Sequence, residues 1–589
     1  MEKNWKKINQ SITQKEVTEL TQALQILPIT AEILISRGIA EPDDAKKFIR
    51  PNLNDLHNPF LLKDLDKAVE RIRLALNKKE KILVYGDYDV DGITSITLLI
   101  QALNHHTSNL IYYLPKRLVD GYGVSKNGIE LAYSQGVKLI ITVDCGISAI
   151  EEIDYANSLG MDVIVCDHHE VKGKLPFAFA IINPKQPTCQ YPDKSLAGVG
   201  VVMKLIQGLM KEGYSTVDLN SLIEFACLGT VADVVPITGE NRIIVKYGLK
   251  QLTMTQNIGL KTLIKVCGLE GKKIESSDIS FKLAPRINAI GRLEDAELVI
   301  KLFLTQSSQE AEKIVRILND HNTKRQNIQE TIFREAIQSD VLEDDKNIIV
   351  LANDNWHQGV IGIVASKIVD KYYRPTIIIS SQNGLGKGSG RSISNFHLLN
   401  ALVQCEDLLE SYGGHEQAVG LTILPHKIDE FRERINGYAQ TVLKKTDLQP
   451  SLNVLPVNLK DVNLALINEI ESLLPPFGLG NPKPVFSTSS LEISGEPMIV
   501  GNNHLKMKVI EDVCSTEQGA QSEKGNFFSY SGLKAQCYDA IGFDMGDKIT
   551  ALKYSTSIDL AYVPQINTWQ DRQSVQLNIK DIKFNYENP

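Results

Sequence analysis

Between residues 76 and 240, short apolar runs alternate with longer amphipathic stretches. Runs at 82–85, 110–114, 139–143 and 163–166 read as strands, and 148–159 reads as a helix between two of them. Continuous apolar strands spaced by helices of this length build parallel βαβ units, with both faces of the sheet covered. Ligands of such sheets bind beyond the carboxyl ends of the strands. The polar residues that stand out fall there: Asp87, Asp89 and Asp91 after one strand, Asp144 after another, and Asp167, His168 and His169 after a third.

The pattern differs on either side. Residues 1–75 read as helical, with amphipathic pieces at 31–35 and 43–49 ended by Pro51. Past 240 the helical period continues. Ser307 and Glu310 have capping-box spacing, and Ile314, Leu318, Ile328, Ile332 and Ile337 follow at helical intervals. They predict a connector helix of roughly thirty residues, longer than usual. Strand signals return at 348–351 and 376–380, flanking a helix at 360–371. Short β-like runs at 485–487, 498–500, 505–509, 558–563 and 575–579 predict a small barrel or sandwich, with 514–534 as a polar, Gly/Ser-rich loop. The expected organisation is an α/β protein: a helical region at 1–75, a parallel-sheet domain at 76–240, a helical connector at 241–343, a second α/β domain at 344–448 and a small β-barrel at 449–589.

Composition adds limits. A chain of 589 residues is too long for one core, and about three to four domains are expected. No apolar run is long enough to span a bilayer, and the first residues lack the apolar core of a signal peptide. The eight cysteines are scattered with no CxxC pair, which argues for reduced thiols in a cytoplasm over a disulfide frame or a zinc site. A net charge of -8 neither announces nor excludes a nucleic-acid partner. Acids gathered around a cation make the formal total too negative, and local basic clusters touch phosphates.

Three carboxylates at alternate positions past a strand repel one another and need a cation to offset them. Asp233, within 229–236, adds a further acid. One aspartate after a strand is ordinarily a cap or turn former. The whole set at strand ends of one βαβ region points instead to a shared ion site. Hard oxygens with one or two imidazoles suit Mn2+ or Mg2+ better than structural zinc. The supply is enough for two ions with one bridging carboxylate, an arrangement that promotes phosphoryl displacement. Farther on, Gly413 and Gly414 would let backbone approach a phosphate closely, with His415 as donor. Lys387, Ser389 and Arg391 on a glycine-rich loop would form an anion nest, the arginine gripping a phosphate in two-pronged fashion. Arg316, Lys324, Arg325 and Arg334 make the connector's polar face basic, for strand contact or simply for solvent.

Four ordered motifs, VYGDYDVDG at 84–92, TVDCGIS at 142–148, CDHHE at 166–170 and GTVADVVP at 229–236, resemble those of the DHH phosphoesterase superfamily. PRINAIGRL at 285–293, GKGSGRS at 386–392, GGHEQAVG at 413–420 and PFGLGNPKPVF at 476–486 extend the likeness to its single-strand-specific exonuclease branch. Relatives acting on small phosphates often carry histidine where Tyr85 stands, and the extra Asp87 fits the exonuclease branch. The resemblance implies a DHH catalytic domain, a DHH-associated (DHHA1) domain and an OB-like barrel. It implies metal-dependent degradation of single-stranded DNA, 5'→3', to 5'-mononucleotides, in DNA repair and recombination. It places metal ligands at Asp89, Asp91, Asp144, His168 and Asp233, with Asp144 bridging two Mn2+ or Mg2+ ions. Asp87 and His169 would complete the shell or contact phosphate. Arg286, with the Ser389 and Arg391 loop, would recognise a 5'-phosphate; Asn288 and Arg292 would join them or tie the connector to the catalytic domain. The barrel would hold the strand, with Tyr530, Tyr538 and Phe543 available for stacking. Single-stranded DNA is the implied partner, with a single-strand-binding protein and a helicase beside it. Two other readings stay open: a phosphodiesterase for short oligoribonucleotides or cyclic dinucleotides, and a non-catalytic scaffold in a replication complex.

Overall fold

The structure, a computed structural model, describes residues 2–115, 123–171, 173–293, 296–339, 346–382, 384–511 and 537–586. It comprises two compact units. One holds Pro51–Leu448 with Pro476–Asn481, and the other holds Met1–Arg50, Gln449–Pro475 and Pro482–Pro589.

The larger unit begins with the parallel sheet. Strand β1 (Lys81–Gly86) leads into α1 (Val90–Leu103), followed by β2 (Leu110–Tyr113), β3 (Val137–Val143), β4 (Asp162–Cys166) and β5 (Ala180–Ile182). Every pairing is parallel, in the order β2-β1-β3-β4-β5. Alternate residues enter opposite cores: Ile82 and Val84 face one, Leu83 and Tyr85 the other. That two-sided burial is why the strands read as unbroken apolar runs. Tyr85 is thereby turned away into the second core, where its hydroxyl accepts from the Ser125 amide at 3.0 Å. The order reverses between β1 and β3, the switch point where open α/β sheets bind ligands.

Helices α2 (Gly198–Lys211) and α3 (Leu219–Ala232) cover the first face, and α4 (Ala284–Leu293) follows a π-helical turn at Ile279–Leu283. Helix α5 (Ser308–Ile337) is 30 residues long, and the Ser307 hydroxyl accepts from the Glu310 amide. Its early residues Ala311, Ile314, Val315 and Leu318 pack into the first core. Its late residues Ile332, Phe333 and Ala336 pack beneath a second sheet. Arg325 departs from the expected basic face: it is buried and bonds Asn322 and Gln329 along its own helix. Lys324 and the Glu-paired Arg316 and Arg334 are exposed.

The second sheet contains β6 (Ile349–Asn353), then α6 (Ile361–Tyr372), β7 (Thr376–Gln382), β8 (Leu385–Arg391), β9 (Leu409–Gly414) and β10 (Ala418–Ile423). Its order is β9-β10-β8-β7-β6, with only β6 and β7 parallel. The glycine-rich stretch expected as a loop is strand β8. Its glycines lie on a buried face, where a Cβ at Gly388 or Gly390 would come within 2.7 Å of Leu421 or Val419 carbons. Large side chains on β10 therefore fill the space that small residues on β8 leave.

In the other unit, strands Phe486–Ile493, Ser557–Trp569, Arg572–Asn585, Tyr538–Gly542 and His504–Glu511 pair in succession, and the last pairs back with the first. This closes a five-stranded barrel of the OB type. The first region is not purely helical. Asn4–Lys7 is a strand, parallel to Ser451–Pro456, and Trp5 donates to Asp581 at 2.8 Å. A four-residue charged edge strand has no alternation to reveal it; tertiary context decides its conformation. Tyr538 lies in the barrel core, Phe543 is exposed, and Tyr530 and the 514–534 loop fall outside the described residues.

Candidate metal centre

The acids converge at the switch point. Past β1 the chain turns sharply, because a Cβ on Gly92 would collide with the Asp87 backbone. Asp89 caps α1: its Oδ1 accepts from the Asp91 and Gly92 amides at 2.9 and 3.1 Å. Asp91 accepts in turn from the first amides of α2, Gly198 at 2.7 Å and Val199 at 2.8 Å. The positive end of that helix thus steadies the carboxylate. Asp144 follows β3 in the left-handed region (φ 59), a conformation aspartate tolerates better than most residues. Gly198 must lack a side chain there, since its Cβ would lie 2.7 Å from Asp144 Oδ1.

The DHH triplet divides its labour. Asp167 is fully engaged within the protein. Its Oδ1 accepts from the His168 and His169 amides at 2.7 and 3.1 Å and meets His169 Nδ1 at 2.7 Å. Its Oδ2 accepts from Ile147 N at 2.9 Å. His168 bonds the Leu196 backbone, and its Nε2 faces Asp144 (3.2 Å), Asp233 (3.5 Å) and Asp91 (3.9 Å). Asp233 stands at the C-terminal end of α3.

Among the described residues three sets of ligand atoms result, each within 4.8 Å: Asp91, His168 and Asp233; Asp87, Asp89 and Asp144; and Asp144, His168 and His169. Asp144 and His168 each belong to two sets. Among the described residues, the buried Asp144 Oδ1 and His168 Nε2 have no hydrogen-bond partner. Buried polar atoms of native proteins are ordinarily satisfied. Orphaned atoms aimed at one another among hard oxygen donors fit a divalent-cation site, with donors for two ions around Asp144.

Titration follows the crowding. Burial, then the neighbouring acids, pushes Asp91 and Asp144 well above the carboxylate range. Burial and Asp89 push Asp233 up to about 7. Burial drives the His168 ring down to about 3, leaving it neutral, as a ligand must be. Burial also depresses His169, but the Asp167 bond and charge outweigh it and hold the ring up at about 9. A carboxyl raised above its unfolded value stabilises the fold at low pH and loses that contribution as pH rises through the native value. The chelated protein is therefore expected to melt several degrees lower at pH 8 than at pH 5, with Mn2+ reversing the loss at pH 8. Differential scanning calorimetry checks this; a chelated Tm rising with pH over that window contradicts it.

Other candidates assemble elsewhere in this unit. Lys387, Ser389 and Arg391 share the face of β8 opposite its glycines, and Lys387 bonds Thr422 at 2.9 Å. Ser389 and Arg391 lie against the start of α6, where a Cβ on Gly362 would be 2.8 Å from Ser389 Oγ and 3.2 Å from an Arg391 nitrogen. Gly414 (φ 136) leaves no room for a Cβ beside Val419, whereas Gly413 faces open space; His415 follows them, its amide bonded to Ala418 O. Arg286 on α4 bonds Asn319 at 3.2 Å and the Lys282 carbonyl at 2.7 Å. Asn288 ties α4 to the metal loop by accepting from Val90 N at 3.2 Å, and Gly291 abuts the Tyr88 carbonyl. The Arg292 side chain falls outside the described residues.

Residues 81–230 match the DHH family, N-terminal domain; residues 345–441 match the DHHA1 domain; residues 455–518 and 523–581 match the RecJ OB domain. The single-stranded-DNA-specific exonuclease RecJ of Bacillus subtilis (strain 168) is 36% identical over 573 residues, covering 96% of this chain and 69% of that protein. The chain belongs to the RecJ family. The RecJ of Escherichia coli (strain K12) is 31% identical, with 97% of this chain and 98% of that protein covered. The crystal structure of RecJ from Thermus thermophilus in complex with Mn2+ superposes with a TM-score of 0.82 at 26% identity, covering 98% of this chain and 79% of that one. A complex of the Thermus RecJ with Mg2+ gives 0.77 at 25% identity over 98% and 78% of the chains. RecJ-family membership accounts for the order of domains found here: parallel-sheet DHH domain, long helix, DHHA1 domain and OB-like barrel.

Sequence reasoning missed two kinds of residue at the centre. It gives Asp167 no part of its own, although an acid immediately before two histidines is placed to bond both. The Gly198 and Val199 amides have no side chain to announce them; the only signal is glycine at the start of an apolar helix.

Proposed function

We infer that this protein is a metal-dependent exonuclease acting on single-stranded DNA in repair and recombination, using two divalent ions, Mn2+ or Mg2+. The observation that carries this reading is the juxtaposition of two three-ligand sets, Asp91, His168 and Asp233 beside Asp87, Asp89 and Asp144, which meet where the Asp144 oxygen lies 3.2 Å from His168 Nε2. When bound, such ions activate water and neutralise charge on a phosphate. Asp89, Asp91, Asp144, His168 and Asp233 hold them, and Asp87 completes the cluster. Asp167 keeps the His169 ring cationic, so His169 presents a positive charge to the phosphate. Chelation is expected to abolish hydrolysis and Mn2+ to restore it.

Polarity is assigned by the second α/β domain. Ser389 and Arg391 beside the amides that open α6 combine a guanidinium, a hydroxyl and a helix N-terminus, a set that suits a terminal phosphate. With Arg286, and with Gly413, Gly414 and His415 against the strand, it selects the 5' end, so that 5'-mononucleotides leave and degradation runs 5'→3'. Arg391→Ala is expected to lower the preference for 5'-phosphorylated over 5'-hydroxyl strands by about 10- to 100-fold, the worth of one charge-assisted contact. Competition between the two strands measures it; an unchanged preference removes Arg391 from this role.

The barrel favours long strands over dinucleotides as substrate, since OB folds hold single strands through basic grooves and aromatic platforms. A single-strand-binding protein and a helicase are the partners such a substrate calls for. Among the described residues no helix is long and apolar enough to cross a membrane. Seven free thiols among those residues support a reducing, cytoplasmic setting.

A further inference from the structure

The metal ligand Asp233 is followed by a stretch with unusual backbone. Val234 adopts φ 60, a left-handed conformation that a β-branched residue enters only when its surroundings impose it. Val234 is 62% exposed, so its own side chain does not impose it. The constraint lies three residues on. Ile237 is buried, and its amide donates to the Leu479 carbonyl at 2.7 Å.

Leu479 belongs to a six-residue loop, Pro476–Asn481, which leaves the chain of the other unit after Pro475 and returns to it at Pro482. The loop is a closed turn. Gly478 and Asn481 exchange backbone bonds of 3.0 and 3.1 Å, and the Asn481 side chain donates to the Pro476 carbonyl at 2.7 Å. It is also seated at its start: Arg242 donates to Pro476 O at 3.4 Å, and the Ser276 hydroxyl donates to Phe477 O. Two glycines fit it to the Asp233 stretch. A Cβ on Gly478 would lie 2.7 Å from Ile237 Cγ1, and Gly480 (φ 74) packs against Pro236 and Thr238. From the other side, Asn241 donates to Pro236 O at 3.1 Å and Ser195 O at 2.6 Å.

We propose that the 476–481 loop is a positioning element for the metal centre: by clamping Pro236–Ile237 it forces the turn at Val234 and sets where the Asp233 carboxylate stands. This rests on the metal reading above. The loop's contacts converge on Pro236, Ile237 and Thr238, and on Arg242 and Ser276 behind them, so Asp233 is the ligand it bears on. An element that orients a ligand without being one governs metal affinity, typically by 10- to 100-fold.

The test uses the full-length protein stripped with EDTA and titrated calorimetrically with MnCl2. Gly478→Val pushes on Ile237 and is expected to weaken Mn2+ binding about 10- to 100-fold. The Mn2+ concentration for half-maximal hydrolysis should rise equally, while KM for single-stranded DNA stays put. Gly478→Val with Ile237→Ala, which removes the atom the new side chain meets, is expected to recover affinity. Asn481→Ala, which opens the loop without crowding it, should weaken binding in the same direction and serves if Gly478→Val does not fold. Folded variants that bind Mn2+ as tightly as the parent overturn the proposal. A parent that binds no Mn2+ overturns the metal reading instead.

Discussion

Asp144→Ala is expected to cut hydrolysis of single-stranded DNA by on the order of 10³-fold or more, because ion contacts worth several kcal/mol in the transition state go with it. Asp144 belongs to two of the three ligand sets, and its Oδ1 lies 3.2 Å from His168, which belongs to the set with Asp91 and Asp233. Binding of the strand should persist, since the proposed phosphate contacts lie on β8, α6 and α4. A second readout separates lost chemistry from lost fold. Asp144 is buried among Asp87, Asp89, Asp91 and Asp233, each of which raises its proton affinity. Removing it relieves repulsion, so the chelated variant should melt no lower than the chelated parent at pH 8. A variant that retains activity sinks the bridging role; one that unfolds shows that the carboxylate is needed for structure.

The second large effect is expected at a residue that holds no ion. Asp167→Ala removes four accepted bonds, from Ile147 N, His168 N, His169 N and His169 Nδ1. It leaves buried donors unmet and a cationic ring without its counter-ion. Stability should fall by about 3 kcal/mol, at the low end for a broken buried pair because the His169 side chain is 36% exposed. Activity should fall nearly as far as for a ligand variant, because His168 and His169 are both hung from this side chain. Asp167→Asn keeps an acceptor but not the charge. It should recover most of the stability while lowering the pH at which His169 loses its proton. Urea unfolding and an NMR titration of the imidazoles measure the two effects; a stable Asp167→Ala variant with intact Mn2+ affinity would contradict the assignment.

The doubly covered sheet was legible because burial on both faces leaves an unmistakable apolar run. The run at 139–143 became Val137–Val143, and the run at 163–166 became Asp162–Cys166. The long helix was legible from its cap and period, and it spans Ser308–Ile337. The centre was legible because chemistry repeated at the ends of several strands. What stayed hidden was set by tertiary contact. Strand β8 alternates glycine with polar residues, a pattern of low strand propensity that only the side chains packed over it explain. The strand at Asn4–Lys7 owes its form to a partner more than 440 residues away. Arg325 stands seven residues from both Leu318 and Ile332, on the apolar face of its helix; only its charge suggests solvent, and there it bonds Asn322 and Gln329. The roles of Asp167 and of the Gly198 amides are roles of hydrogen bonding, which spacing alone does not encode.

On this reading the ligands around Asp144 would hold two divalent ions, and the protein would shorten single strands from the 5' end. One measurement tests it most directly: digestion of a DNA strand labelled at either end, single or paired, with Mn2+ or with EDTA. With Mn2+ the 5' label is expected to leave the single strand as a mononucleotide at the earliest times and the 3' label to stay on shortening chains, with paired ends and EDTA-treated samples left intact. Early release of the 3' label, or digestion that survives the chelator, would contradict it.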